Sequence, residues 1–352
     1  MFFAERTTTA RRFFVCPPGN VILSGLFLIL LWHVSGLANV RIRLALSGGP
    51  SVSNQFNGQI ITNVSGQIRY KTRFQSYYLR IKARATPEFY LNGAESSIFK
   101  FNGTVVVGSN LAPTGWQVSF AHRRYFYSSS AFRDFSFEQL SLTGNVWRRR
   151  TGQTFWLATL GYWSRVSYSR PGSRLQAAQA QAGIQINFAT HRTLSCALQI
   201  ERFYVSPAYS DQIADRNEGW RAGPVVNLNI RYPFVLNGSL YAAGHYSDLN
   251  GKTVPVYGLD LVLGQVFKRK WSLFMLLRWQ KLTRLPEGYS PYLAYAPSEL
   301  ENWLALKLSY DLSPSWEIFL RAGWMRENLA ELDSPLLNLH GLIGLRWATG
   351  KR

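Results

Sequence analysis

Between Trp316 and Trp324 every second residue is apolar (Trp316, Ile318, Leu320, Ala322, Trp324), and an indole closes each end. The residues between, Glu317, Phe319, Arg321 and Gly323, are a polar and mixed set. The pattern returns at Trp271, Leu273, Met275, Leu277 and Trp279. Side chains of a strand alternate faces, so each segment has one apolar face and one that tolerates water. Eight residue steps at roughly 3.3 Å give about 26 Å of strand. At the usual barrel tilt that is about 20 Å of height, close to the apolar belt a membrane strand must cross.

Composition narrows the alternatives. Hydrophobic residues make up 47% of the 352, yet the mean hydropathy is only −0.10. A helical membrane protein needs several runs of about twenty apolar residues, and beyond the N-terminus none is present. Aromatics at 15% with 3 Met point to a β protein with many interfacial rings. A soluble β-sandwich or β-propeller would also be strand-rich. The weak, dispersed apolar signal suits a barrel, because its lipid-facing and lumen-facing residues alternate.

Sixteen segments carry strand periodicity: 40–46, 59–72, 77–91, 96–108, 116–127, 135–147, 153–168, 174–188, 192–204, 220–232, 237–247, 254–267, 271–283, 301–311, 315–326 and 338–348. The linkers between them largely alternate long and short. Segments 47–58, 128–134, 205–219, 284–300 and 327–337 are long; 73–76, 148–152, 189–191, 233–236, 268–270 and 312–314 are short. The rhythm weakens only around 92–115. Membrane barrels combine short turns at one end with longer loops at the other. The expected fold is all-β: a transmembrane antiparallel up-and-down β-barrel of about 14–18 strands, sixteen being the best count.

The N-terminus reads as an export signal over residues 1–38, leaving 39–352 as the barrel. Arg6, Arg11 and Arg12 form a basic region, 21–32 is a short apolar core, and small residues end at Ala38. An uncleaved anchor is the alternative. Cleavage there leaves Cys196 as the single cysteine and rules out an internal disulfide. Cys196 alternates with Leu194, Leu198 and Ile200, which places it on a lipid face.

The last segment, Leu339, Gly341, Ile343, Leu345 and Trp347, alternates up to a near-terminal aromatic. It resembles the C-terminal recognition strand of bacterial outer-membrane proteins. The departure is that five residues, Ala348 to Arg352, follow Trp347. The resemblance implies a Gram-negative outer membrane, contact with its lipid and lipopolysaccharide, and capture by the barrel assembly machinery. An even strand number would put both chain ends in the periplasm.

The formal net charge is +20, so the chain attracts anions. Nucleic acid is a poor candidate for an exported, strand-rich chain. The cations are patterned. Arg41 and Arg43, then Arg69, Lys71 and Arg73, then Arg80, Lys82 and Arg84 alternate with apolar or small neighbours. Arg231, Arg278, Lys307, Arg321 and Arg346 occupy later polar faces, where Glu201, Asp260 and Glu317 are the clearest acids. A lipid-facing Arg or Lys at the midplane costs about 2–4 kcal/mol, so these cations are expected to look inward. A cationic bore favours anionic solutes or an acidic polysaccharide. Pairing with loop acids, or contact with lipopolysaccharide phosphates at the rims, would use the same charges differently.

His245, Tyr246, Ser247 and Asp248, followed by Asn250, Pro255 and Gly258, are similar to the lipid A deacylase signature, with Asp248 in place of its Asn. The resemblance implies a hydrolase with His245 and Ser247 at its centre. One register turns them inward, with Leu240, Ala242, Gly244 and Tyr246 toward lipid; the opposite register is almost as apolar. No zinc spacing, P-loop or dinucleotide fingerprint is present, and no cofactor is expected. Gln179, Gln181, Gln185 and Asn187 read as a neutral lumen face. A channel or conduit for anions is the leading expectation. A lipid A hydrolase and a structural subunit of a secretion or surface-assembly complex are the alternatives.

Overall fold

Alternation at period two gives each strand one apolar and one polar face, and in this protein the strands close on one another so that every backbone edge is paired and the apolar faces turn outward together. The computed structural model describes residues 39–53, 58–91, 97–109, 113–128, 136–151, 153–167, 174–205, 217–248, 251–268, 270–282, 302–327 and 336–349. The expected export signal lies outside these residues. So do the loop acids Asp134, Asp211, Asp215, Glu287, Glu299, Glu331 and Asp333.

The first eight strands are β1 (Asn39–Ser53), β2 (Gln59–Phe74), β3 (Tyr77–Leu91), β4 (Ser97–Ser109), β5 (Thr114–Tyr127), β6 (Phe137–Thr151), β7 (Thr154–Ser167) and β8 (Arg174–Ala189). The second eight are β9 (Arg192–Val205), β10 (Asn217–Ile230), β11 (Val235–Ser247), β12 (Lys252–Phe267), β13 (Trp271–Leu282), β14 (Asn302–Asp311), β15 (Trp316–Glu327) and β16 (Leu336–Ala348). Each pairs with its sequence neighbours, and β1 pairs antiparallel with β16 to close the ring. Closure leaves no unpaired sheet edge. Connections at one end take two to four residues, and at the other four to nineteen.

All sixteen expected segments are strands. Two details differ from expectation. Ser47, Gly48, Gly49 and Pro50 look like a turn but continue β1. Gly48 still stands against Ile343, pairing resumes with Ser51 against His340, and the Ser51 hydroxyl donates to Asn338 Oδ1 at 2.9 Å. Inward hydroxyls thus hold a stretch with poor strand propensity. Arg231 lies just past β10, in the turn to β11, and not on a strand face.

The apolar side chains are outside. Leu198 is 70% exposed, Leu160 68%, Leu339 62% and Ile343 61%. An apolar surface of this extent requires hydrocarbon around it. Rings band it at two levels. Phe74, Tyr77, Trp156, Phe188, Trp271 and Trp316 are exposed at the short-turn end; Phe89, Phe99, Tyr162, Trp220, Trp279 and Trp324 are exposed toward the other. Cys196 is exposed on the same outer face as Leu198 and Ile200. A closed even-stranded ring, turns short at one end, an outer apolar band and two aromatic girdles together define the type. This is a transmembrane β-barrel of the outer-membrane kind.

Candidate functional site

With Leu44, Leu46 and Val52 outward on β1, Ile60, Val64 and Ile68 outward on β2, and Tyr77, Phe89 and Leu91 outward on β3, the alternate residues face the bore. Arg41, Arg43, Arg69, Lys71, Arg73, Arg80, Lys82 and Arg84 are all among them. Pairing stacks them in rungs. Lys71 stands directly across from Arg80, Arg69 from Lys82, Gln67 from Arg84 and Arg73 from Tyr78. Like charges directly opposite on adjacent strands destabilise a sheet. On the far side of β3, Arg80, Lys82 and Arg84 meet Val106, Thr104 and Asn102, none of which neutralises them.

The acids that face the bore are already engaged with other residues. Glu88 is the one acid among the described inward residues of β1 to β3. It accepts from Lys100 at 2.8 Å and from Asn63 at 3.1 Å. Asp260 holds Arg278 at 2.7 Å. Glu317, 1% exposed, accepts from Lys307 at 2.6 Å and also from Arg346. Glu201 stands across from Arg221. Among the described residues Arg41, Arg69, Lys71, Arg73, Arg80, Lys82 and Arg84 make no ion pair. All seven are exposed to the bore. The Arg80 guanidinium lies 4.5 Å from the centre of the Tyr78 ring, and Arg84 Nε donates to Thr86 Oγ1 at 3.2 Å. Both contacts orient a cation without cancelling its charge.

Eight strands around the ring, the wall is neutral. Gln179, Gln181, Gln185 and Asn187 of β8 face inward with Ser195 and Gln199 of β9 and Asn227 of β10. Asn227 Nδ2 donates to Ser195 Oγ at 3.2 Å. A cavity of about 320 Å³ opens on this side, lined by Gln139, Trp163, Gln179, Gln199, Glu201, Arg221 and Tyr241 among others. Interior rings are laid flat by glycines. Tyr241 faces Gly258 across the β11–β12 pair, and a Cβ on Gly258 would collide with its ring. Phe319 is seated in the same way opposite Gly344. We predict that Gly258→Val displaces the Tyr241 ring and lowers the urea midpoint of the micelle-solubilised barrel, and that adding Tyr241→Ala restores it.

The Glu317 centre is structural. Its two cations are only 22% and 28% exposed. Glu317→Gln leaves both without their acid and is expected to cost roughly 2–3 kcal/mol, below the fully buried range because both cations reach lumen water. The urea midpoint of the micelle-solubilised barrel measures this.

His245 and Ser247 also face inward, because Leu240 and Tyr246 take the outer face. Both are buried, and the His245 ring stacks on Phe203 with centroids 5.1 Å apart. The register that turns the pair inward is thus the one adopted, and the resemblance to lipid A deacylases finds no support in the structure. The Glu88–Lys100 pair escaped sequence reading because only the register of β3 and β4 brings those two residues together.

No protein-family model and no curated protein matches the chain. Among solved structures, CdiB from Acinetobacter baumannii superposes with a TM-score of 0.48 at 9% identity, over 88% of this chain but only 60% of that one. Pseudomonas putida OprB gives 0.47 at 10% identity, covering 92% and 97% of the two chains. Pseudomonas aeruginosa OprD gives 0.41 at 9%, covering 89% and 96%. These are likenesses of backbone path.

Proposed function

We propose that this barrel is an anion-favouring channel in the outer membrane of a Gram-negative cell, delivered there by a leader over residues 1–38. The observation that carries the reading is the β1–β3 wall: seven bore-facing cations without an ion pair among the described residues. Each lies on a rigid strand, so its position is set by the ladder of backbone hydrogen bonds and not by a loop. Fixed charge of one sign lining a confined, low-dielectric bore concentrates the opposite ion and repels its own. The neutral amide and hydroxyl wall opposite supplies hydrogen bonds without adding a competing field. The test is the zero-current potential of the purified barrel in a planar bilayer under a potassium chloride gradient. Chloride preference is expected. Potassium preference, or closed membranes at every protein density, would overturn the reading.

A further inference from the structure

Resting on the channel reading, we infer that the anion handled by this lumen is an extended acidic polysaccharide, its carboxylates seated on the β2–β3 cations.

Three features lead there. The first is the axial run of the charges. Arg73, the Lys71–Arg80 rung, the Arg69–Lys82 rung and Arg84 follow one another every second residue down a single antiparallel pair. Rungs two residues apart are separated by about 6.7 Å, so the column is about 20 Å long. A small anion neutralises one rung and leaves the others repelling. A chain bearing an acid on successive sugars meets several rungs together, and each added contact is intramolecular once the first has formed.

The second is the chemistry of the cations. Six of the seven are Arg or Lys members of the facing strands β2 and β3, whose forks and ammonium groups suit planar carboxylates. The third is the wall opposite. Gln181, Gln199, Ser195 and Asn227 offer both donors and acceptors. Sugar hydroxyls satisfy both kinds. A polyphosphate presents acceptors only and leaves the amide oxygens unmatched.

The experiment is block of single-channel current by galacturonate, trigalacturonate and hexagalacturonate, with maltohexaose and a linear hexaphosphate as comparators. Calorimetric titration of the detergent-solubilised barrel reads the same affinities without needing conductance. Affinity is expected to rise at least about tenfold from the monomer to the hexamer, with maltohexaose far weaker. Replacing Arg69, Lys71, Arg80 and Lys82 with Gln should abolish the length dependence. The double change Gln181→Leu with Asn227→Leu should weaken hexagalacturonate several-fold. Equal affinity per charge for monomer and hexamer overturns the polymer inference while the anion preference stands. Hexaphosphate binding as tightly as hexagalacturonate, with the Leu double change silent, overturns the polysaccharide. Loss of chloride preference in the unmodified barrel overturns the channel reading itself.

Discussion

Replacing Arg80, Lys82 and Arg84 together with Gln will lower the anion-to-cation permeability ratio by about tenfold at low salt. A unit charge at about 8 Å contributes roughly 0.5–2 kcal/mol for effective dielectric constants between 80 and 20. Three such charges on one strand supply a large share of the field felt at mid-bore, and Arg69, Lys71 and Arg73 across the pair, with Arg41, retain the rest. The effect should fade as salt rises, because the screening length falls from about 10 Å at 0.1 M to about 3 Å at 1 M. Arg150 is the control. It lies on the outer face over Trp156, with its guanidinium 4.9 Å from the ring centre. Arg150→Gln should leave the ratio unchanged. Equal effects from the triple change and from Arg150→Gln would mean that overall surface charge, and not the wall, sets the preference.

Leu198→Arg and Gln199→Arg are neighbouring changes with opposite expected outcomes. Leu198 sits mid-strand on β9, outward and 70% exposed, while Gln199 lines the lumen cavity. Arg at the lipid midplane costs roughly 2–4 kcal/mol. Arg in place of a lumen amide, in contact with water, should fall within about 0.5 kcal/mol of the unmodified barrel. Equilibrium unfolding in urea from lipid vesicles measures both. Similar costs for the two changes would show that the faces are not distinguished as described.

Much of the architecture is legible in the sequence because lipid enforces it. A strand that must show hydrocarbon one face and water the other alternates at period two, and Trp271–Trp279 and Trp316–Trp324 carry that demand in plain form. The orientation of Arg80, Lys82 and Arg84 follows from the same rule, since the penalty for facing them outward exceeds any gain from the reverse register. What escapes is cross-strand. Tyr241 and Ala243 are as apolar as Leu240 and Ala242, so the face of β11 is ambiguous until Gly258 on β12 is seen to seat the Tyr241 ring. The partner of Glu88 depends on register in the same way. Gly48, Gly49 and Pro50 mislead for a third reason: local propensity says turn, and the seam with β16 overrides it.

Cysteine labelling along β3 tests the central claim most directly. In a Cys196→Ser background, single cysteines replace Leu79 to Arg84 one at a time in the vesicle-embedded barrel. Each is challenged with a charged, membrane-impermeant thiol reagent and with a bilayer-confined one. Positions 80, 82 and 84 are predicted to react with the charged reagent, and 79, 81 and 83 with the lipid-soluble one. Uniform reactivity along the six, or the inverted pattern, would contradict an apolar exterior around a cationic watery bore.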